Sequence, residues 1–300
     1  MINKIKVVNS YGEELTMTLR EPQLSGYAIT DISGIGPTDV DIKQTQFVSG
    51  RKYKYNAGFH KYREIGLSII YYEWNDLMMT VEQLRNNLYK YFKTNDKIEL
   101  IFEKDDIQYA IEGYISKHEP TFFSNNCGVR ITVLCPDPWF RKFDIDYYTE
   151  TSSNSVNTTE DDPGTWVNYC DIIYDGDISN GLKLITNVEN GITAYKGRSL
   201  TLISEHESSG IQRQFVVNIP GTCEDSGQLV IDLLSDIVNV YTIEDGSDPK
   251  FCNGWIDATT ISKRQELPEI LPGNNNIKFL TDQDEEIEFK IVYNTLYRGL

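Results

Sequence analysis

The segment that most constrains the fold is an apolar strand that runs directly into two prolines. Ile131-Thr132-Val133-Leu134 alternates like a strand with one buried face, and Cys135-Pro136-Asp137-Pro138-Trp139-Phe140 follows it. Proline has no amide hydrogen for a sheet, and it forces the residue before it out of helical geometry. We therefore predict that the strand ends at Leu134 or Cys135 and that the chain leaves in an extended form. The aromatic pair beyond it can pack on the next surface, as is typical of a passage between two domains.

The first half of the chain combines one helix with several strands. Thr80 and Gln83 have the spacing of a capping box, and apolar residues then recur with a helical period, which predicts a helix within 76–93. A long strand precedes this helix at 65–72. A hairpin that turns at Lys104-Asp105-Asp106 is predicted over 97–119.

These features in this order resemble the distal tail proteins of long-tailed, siphovirus-type bacteriophages. The Cys-Pro-Asp-Pro-Trp-Phe segment is similar to a strand-ending signature of that family. Leu271-Pro272-Gly273-Asn274-Asn275-Asn276-Ile277 resembles its C-terminal turn, and Ile291-Val292-Tyr293 with Tyr297-Arg298 resembles its closing strand. The resemblance covers residues 1–141 well, residues 271–300 moderately and the middle of the chain hardly at all.

The resemblance implies a mainly β protein with an N-terminal tail-tube-like split β-barrel that carries one helix, followed by a C-terminal galectin-like β-sandwich. We assign residues 1–141 to a ring-forming domain and residues 142–300 to the sandwich, with 142–165 as a polar linker or loop. The residues themselves favour a sandwich in the second part, because short strands separated by Gly, Asn and Asp recur from 165 to 293. One of these predicted strands lies at 254–256.

Charge distinguishes the two parts of the chain. Residues 1–141 contain 17 Lys and Arg against 18 Asp and Glu, whereas residues 142–300 contain 11 against 27. Such an acidic domain repels phosphate groups, so we expect neither nucleic acid nor an anionic membrane as a partner. No segment has the hydropathy of a signal peptide or a membrane span, which predicts synthesis in a cytosol. The resemblance to phage proteins implies that this is the cytoplasm of a bacterial host.

Residues 45–63 interleave aromatic side chains with Lys and Arg. This pattern is compatible with binding of single-stranded nucleic acid, but a β-hairpin arm is favoured because the patch stands alone in an acidic chain. The resemblance implies that this region makes contacts between the subunits of a homo-hexameric ring, and aromatic residues and Arg dominate interface cores. The predicted interface residues are Tyr53, Tyr55, Phe59, Tyr62 and Arg63.

The resemblance also implies a structural role in the virion. The ring would join the tail tube to the tail-tip or baseplate apparatus that adsorbs to the host. Its implied partners are the tail-tube protein, the tail-tip hub protein, and receptor-binding or accessory proteins held by the C-terminal domain.

The alternative is a carbohydrate-binding module that recognises host cell-wall polysaccharide. Its contacts would be Trp166, Trp255 and Asn253, although large aromatic residues in a sandwich more often belong to the core.

A cell-wall hydrolase is a weaker third option, because the three His residues lack helix-spaced partners and no nucleophile or zinc motif is present. We predict no catalytic residue, cofactor or metal site, since the five Cys lack metal-ligand spacing and the acidic turns do not follow the EF-hand pattern.

Overall fold

The structure is a computed structural model that describes residues 1–46, 53–73, 79–121, 127–143, 148–151, 153–156, 166–186, 192–234, 237–244, 247–257, 267–282 and 286–300. The side chains of these residues are described except at 42–46, 53–59, 148, 153–156 and 166–167. The chain divides into two compact units. The first unit is Met1–Asp144 with Tyr297–Leu300, and the second unit is Ile145–Leu296.

The first unit is built on one antiparallel sheet and a separate hairpin. Its strands are β1 (Ile2–Val8), β2 (Glu14–Thr18), β3 (Tyr27–Ser33), β4 (Val40–Gln46), β5 (Tyr53–His60), β6 (Arg63–Tyr71), β7 (Lys97–Lys104), β8 (Ile107–Thr121), β9 (Gly128–Cys135), β10 (Phe140–Lys142) and, where the chain re-enters this unit, β22 (Leu296–Tyr297). The main path of the sheet is β2-β1-β7-β8-β9-β6-β3, and β10 pairs with β8 and β22. The chain is mainly β, as predicted, and none of the described sheets closes into a barrel.

One α-helix, α1 (Val81–Tyr91), contributes its apolar face to the core of the first unit. The hydroxyl of Thr80 accepts a hydrogen bond from the Gln83 amide at 3.3 Å, and the Gln83 side chain accepts one from the Thr80 amide at 2.9 Å. The predicted capping box is therefore confirmed. Leu84 and Leu88 are buried in the same core as residues of the strands. This packing stabilises the helix, because a helix of this length is marginally stable without tertiary contacts.

The predicted ends of the neighbouring elements are explained by turn chemistry. Asp105 and Asp106 have φ angles of 50° and 66° in the two-residue turn between β7 and β8, and these positive values match a hairpin turn that favours Asp. The helix is shorter than the predicted range 76–93, of which 76–78 lie outside the described residues. Strand β9 ends at Cys135, as the two prolines predict.

The second unit is a sandwich of two antiparallel sheets. Its strands are β11 (Tyr148–Thr151), β12 (Ser153–Val156), β13 (Trp166–Tyr174), β14 (Lys183–Thr186), β15 (Ser199–His206), β16 (Ile211–Asn218), β17 (Gln228–Asp232), β18 (Asn239–Ile243), β19 (Lys250–Phe251), β20 (Gly273–Thr281) and β21 (Phe289–Tyr293). One sheet has the order β11-β21-β14-β17-β18-β19, and the other has the order β12-β13-β20-β15-β16. Apolar residues from both sheets form a single core, which is the sandwich architecture expected from the sequence.

Two sequence expectations for the second unit are wrong in detail. Within the predicted loop 142–165, β11 pairs with β21 and β12 pairs with β13. Both are edge strands, which bond to a neighbour on one side only, so backbone pairing can form there without the apolar alternation that marks a central strand. At 254–256 the structure has a 3₁₀ turn, Asn253–Trp255, instead of a strand. The Trp255 amide bonds to the Cys252 carbonyl at 2.9 Å, which curls the backbone there.

A buried carboxylate ties together one end of the six-stranded sheet. Asp225 Oδ2 accepts hydrogen bonds from Thr242 Oγ1 at 2.8 Å and from Lys250 Nζ at 2.9 Å, while Oδ1 accepts one from the Gly227 amide at 3.0 Å. Burial raises the pKa of Asp225, but the hydrogen bonds from Lys250, Gly227 and Thr242 outweigh it, and the pKa lies below its ordinary value of 3.8. The ionised form therefore stabilises the junction of β17, β18 and β19.

Replacing Asp225 with Asn should destabilise the second unit by about 1–2 kcal/mol at pH 7, because a neutral amide accepts these hydrogen bonds less strongly. Since the folded-state pKa is depressed, the carboxylate stabilises the fold fully above pH 3.8, and this contribution is lost as the pH falls through the folded-state pKa. The stability difference between wild type and Asp225→Asn should thus be constant from pH 7 to pH 5 and shrink below pH 3.8. Urea denaturation across this pH range measures it, with the exposed Asp248→Asn as control. A difference that does not change with pH would contradict the assignment.

Candidate functional site

The β4–β5 hairpin is a separate two-stranded sheet. The two strands pair antiparallel along their lengths, and neither joins another sheet within the described part of the chain. The structure therefore has a hairpin in the region of the predicted arm, 45–63, but its strands run from Val40 to His60, and Arg63 begins β6 of the main sheet. Two-stranded hairpins are marginally stable alone, so this segment suits contact with another surface. The side chains of Tyr53, Tyr55 and Phe59 lie outside those described, and their role in subunit contacts stays a prediction.

The chain enters and leaves the hairpin through residues 34–39 and 60–64, which we call the hairpin root. The Lys61 amide donates to the Asp39 carbonyl at 3.1 Å and joins the two sides of the root. The His60 ring meets the Trp139 ring edge-on, with centroids 4.7 Å apart. Tyr62 is 55% exposed. Tyr62 is therefore exposed on a root whose backbone is fixed by the Lys61–Asp39 hydrogen bond and whose neighbouring His60 packs on Trp139.

A buried arginine organises the root from inside. Arg63 is only 3% exposed. Its Nη1 donates to the carbonyls of Gly34 at 2.6 Å and Gly36 at 2.5 Å. Its Nε donates to the Pro138 carbonyl at 2.7 Å, and its Nη2 donates to the Arg298 carbonyl at 2.5 Å. One guanidinium therefore joins the hairpin root, the segment between β9 and β10, and the last residues of the chain.

The surroundings of Arg63 explain how a cation is tolerated there. Burial lowers the pKa of Arg63, but an arginine starts so far above neutral pH that it stays charged. Hydrogen bonds to carbonyl oxygens and the face of Phe140, 4.5 Å from Cζ, replace the water that it loses. Sequence reasoning places Arg63 in a subunit interface, whereas the structure gives its guanidinium four acceptors inside the first unit. Contact with a neighbouring subunit stays a prediction.

A cleft of about 480 Å³ opens beside the hairpin root. Its lining residues are Gly34, Gly36, Pro37, Thr38, Asp39, Lys61, Tyr62, Arg63 and Glu64. Both signs of charge line this cleft, whereas small-molecule sites are mostly apolar. The cleft therefore suits contact with another polypeptide better than it suits a small ligand.

The residues predicted to bind sugar lie on two elements of the second unit, Trp166 on β13 and Asn253 with Trp255 on the 3₁₀ turn. Trp166 is in β13, and its side chain lies outside those described. Trp255 follows β19 and packs against the core of the sandwich. Asn253 is exposed, but its Oδ1 accepts from the Val240 amide at 2.7 Å and its Nδ2 donates to Asn239 Oδ1 at 3.2 Å. A glycan contact by these three residues stays a prediction.

Sequence reasoning missed a pair of aromatic rings on the sandwich. Phe251 is 64% exposed, and its ring centroid lies 5.7 Å from that of Tyr241 on the neighbouring strand. No motif marks them, because each stands in a short strand of mixed sequence and the two are brought together only by the pairing of β18 with β19.

The described residues contain no group of three or more His, Cys, Asp or Glu side chains that could hold a metal ion. The histidines have separate surroundings. His118 packs its ring against Tyr89 with centroids 4.7 Å apart, and His206 contacts Ser209 Oγ at 2.7 Å. No helix in the described part of the chain is long and apolar enough to cross a membrane.

Comparison with known proteins identifies the fold. No protein-family model and no curated protein matches the chain. The chain is similar to the crystal structure of the Dit protein (gp 19.1) of phage SPP1, a paradigm of the hub adsorption apparatus in phages that infect Gram-positive bacteria, with a TM-score of 0.56 and 10% identity over 97% of this chain and 98% of that chain. It also matches the activated phage P2 baseplate with Ca (TM-score 0.46, 11% identity, 97% and 98% covered) and with Sr (TM-score 0.45, 12% identity, 98% of each covered). The resemblance to phage distal tail proteins is thus confirmed at the level of the fold.

Proposed function

We propose that the chain is a structural distal tail protein of a bacteriophage or a phage-derived particle, located in the tail tip or baseplate of the virion. The observation that best supports this is the extent of the similarity to SPP1 Dit, which spans 97% of this chain and therefore both units. A match to the sandwich alone would be compatible with many functions, because common folds host unrelated activities. An open sheet with a hairpin followed by a sandwich is a more restrictive combination.

In this proposal, six copies of the first unit close into a ring through a heterologous contact. The hairpin supplies the contact residues Tyr53, Tyr55, Phe59 and Tyr62, with Arg63 holding the root beneath them. The exposed Tyr62 at the root supports this assignment, because interface hot spots are enriched in Tyr. The ring joins the tail-tube protein on one face to the tail-tip hub protein on the other.

The second unit serves as an attachment platform for receptor-binding or accessory proteins. Residues 145–296 contain 9 Lys and Arg against 26 Asp and Glu, whereas the first unit contains 19 of each class. Neutral units can pack closely in a ring, while strongly acidic units repel one another and favour separate positions. The role is structural and requires neither catalysis nor a cofactor.

Replacing Tyr62 with Ser should weaken ring formation by about tenfold or more per contact, as expected for a tyrosine hot spot. Light scattering at several concentrations should give six times the 34.4 kDa chain mass for the wild type, and negative-stain images should show rings with a central hole. Tyr11→Ser is the matched control, because Tyr11 is 73% exposed and belongs to the β1–β2 turn, which is part of neither the hairpin nor its root. A monomeric wild type at every concentration would contradict unassisted ring formation. If Tyr62→Ser and Tyr11→Ser weaken ring formation equally, the hairpin root is not part of the interface.

A second candidate function is recognition of host cell-wall polysaccharide by the sandwich. The observation that favours it is the exposed Phe251 ring beside Tyr241, because exposed aromatic faces suit sugar rings. Glycan screening with the wild type, Phe251→Ala and Trp255→Ala tests it. Binding lost only in Phe251→Ala places the contact on this pair, and no binding at millimolar oligosaccharide rejects the candidate.

A further inference from the structure

The last residues of the chain return to the first unit and pack on the hairpin root. We call Tyr297–Leu300 the tail segment; it follows the second unit in sequence but belongs to the first unit. The Tyr297 ring meets the Tyr109 ring edge-on, with centroids 5.3 Å apart. The Leu300 amide donates to the Ile35 carbonyl at 3.0 Å. The tail segment is thus held at both ends, and one of its contacts is the hairpin root.

Gly299 lies at the closest approach between the tail segment and the root. A Cβ atom at this position would lie 3.0 Å from both the Gly36 carbonyl carbon and the Ile35 oxygen, and 3.1 Å from the Pro37 nitrogen. All three are backbone atoms, which cannot rotate away as a side chain can. Glycine is therefore the residue that lets the two backbones touch.

Arg63 links the two segments through a single rigid group. Its guanidinium bonds to the Arg298 carbonyl of the tail segment and to the Gly34 and Gly36 carbonyls of the root. The guanidinium is planar, and its donors have fixed relative directions. A shift of the tail carbonyl therefore disturbs the geometry that holds the root.

We propose that the tail segment is a clasp that fixes the hairpin root, so that the hairpin has a defined direction only while the tail segment is seated. Because the tail segment follows the second unit in sequence, the root is completed only after the residues of the second unit have been synthesised. Combined with the ring function proposed above, on which this consequence rests, the clasp would keep a partly synthesised chain out of the ring.

The variant Gly299→Val in the full chain tests the clasp. Gly221→Val is the matched control, because a Cβ at Gly221 meets no atom within 4 Å. Hydrogen exchange, measured by mass spectrometry on the monomer at low concentration, reports on the Lys61 amide, which bonds across the root to Asp39. In Gly299→Val, we expect exchange at the root to be about tenfold faster or more, with exchange in α1 unchanged. Unchanged exchange at the root would overturn the proposal.

A second variant addresses the case in which Gly299→Val loosens the whole first unit, seen as faster exchange in α1 as well. Tyr297→Leu removes the ring contact with Tyr109 and adds no bulk near the root. Faster exchange at the root with α1 unchanged would then support the clasp. Exchange at the root equal to that of the wild type would reject it.

Ring formation by the same variants separates the clasp from the ring function. Loss of rings in Gly299→Val but not in Gly221→Val supports both proposals. If exchange at the root is faster in Gly299→Val but the wild type forms no rings, the clasp is supported and the ring function is contradicted. Rings from wild type and Gly299→Val alike, with equal exchange at the root, support the ring and overturn the clasp.

Discussion

Replacing Arg63 with Met should destabilise the first unit by about 4 kcal/mol, because buried carbonyls that lose a charged donor each cost about 1–3 kcal/mol and water recovers part of this. Methionine fills much of the same volume, so the loss reports the missing hydrogen bonds and not a large cavity. With a slope of about 2 kcal/mol per molar urea, the unfolding midpoint of the first unit should fall by about 2 M. Far-UV circular dichroism during urea denaturation, with hydrogen exchange to assign the transition, measures the change.

The control for this prediction is Arg130→Met, since Arg130 is an exposed residue of β9. A surface substitution of this kind should change stability by no more than about 0.5 kcal/mol. If Arg63→Met shifts the transition no more than Arg130→Met does, the four carbonyls find other donors and Arg63 does not organise the hairpin root.

Replacing Gly34 with Ala should be almost as damaging, for a different reason. Gly34 has a φ of +80°, and a Cβ there would lie 1.9 Å from the Glu64 carbonyl oxygen. The left-handed conformation alone costs a non-glycine residue about 1–2 kcal/mol. The overlap must also displace backbone, and it moves the Gly34 carbonyl that Arg63 binds. We expect a total loss of about 3–4 kcal/mol, as is usual when a special backbone position and a buried network are disturbed together.

Gly12 provides a matched control for Gly34. It has nearly the same φ, +78°, but a Cβ there meets no atom within 4 Å. Gly12→Ala should therefore lower the free energy of unfolding only by the cost of the left-handed conformation, about 1 kcal/mol. The difference between the two variants, measured by the same urea denaturation, isolates the contact with Glu64. If Gly34→Ala and Gly12→Ala lose the same stability, the backbone near Glu64 moves aside without cost, and the root is not rigid.

Local features were predictable because their causes lie within a few residues. The missing amides of Pro136 and Pro138 stop β9, whatever surrounds it. The capping box at Thr80 forms between residues three positions apart, and the Asp105–Asp106 turn needs only two residues that tolerate positive φ. The recurrence of short strands between Gly, Asn and Asp also predicts the sandwich of the second part, since this spacing is readable within short segments.

The candidate site was predictable only in outline. The aromatic and basic composition of 45–63 indicates an arm, and the structure has a hairpin in this region whose strands span Val40–Gln46 and Tyr53–His60. The same composition predicts Arg63 as a residue of the subunit interface, whereas the structure buries its side chain inside the first unit, as charged residues rarely are unless they are paired. No residue near Arg63 in the sequence predicts which carbonyls accept its hydrogen bonds. The residue type of Trp255 is compatible with a sugar contact, whereas its packing against the core depends on the turn at Asn253–Trp255.

By itself, the sequence determined the mainly β class, the end of β9, the capping box of α1, the β7–β8 turn, and the contrast between a neutral first part and an acidic second part. Only the tertiary structure decided what Arg63 binds and where the tail segment lies, because the Arg63–Arg298 hydrogen bond joins residues 235 positions apart. A pattern within a short window carries no information about such a contact. The partner is selected by the packing of the whole unit, which leaves buried carbonyls that must find a donor.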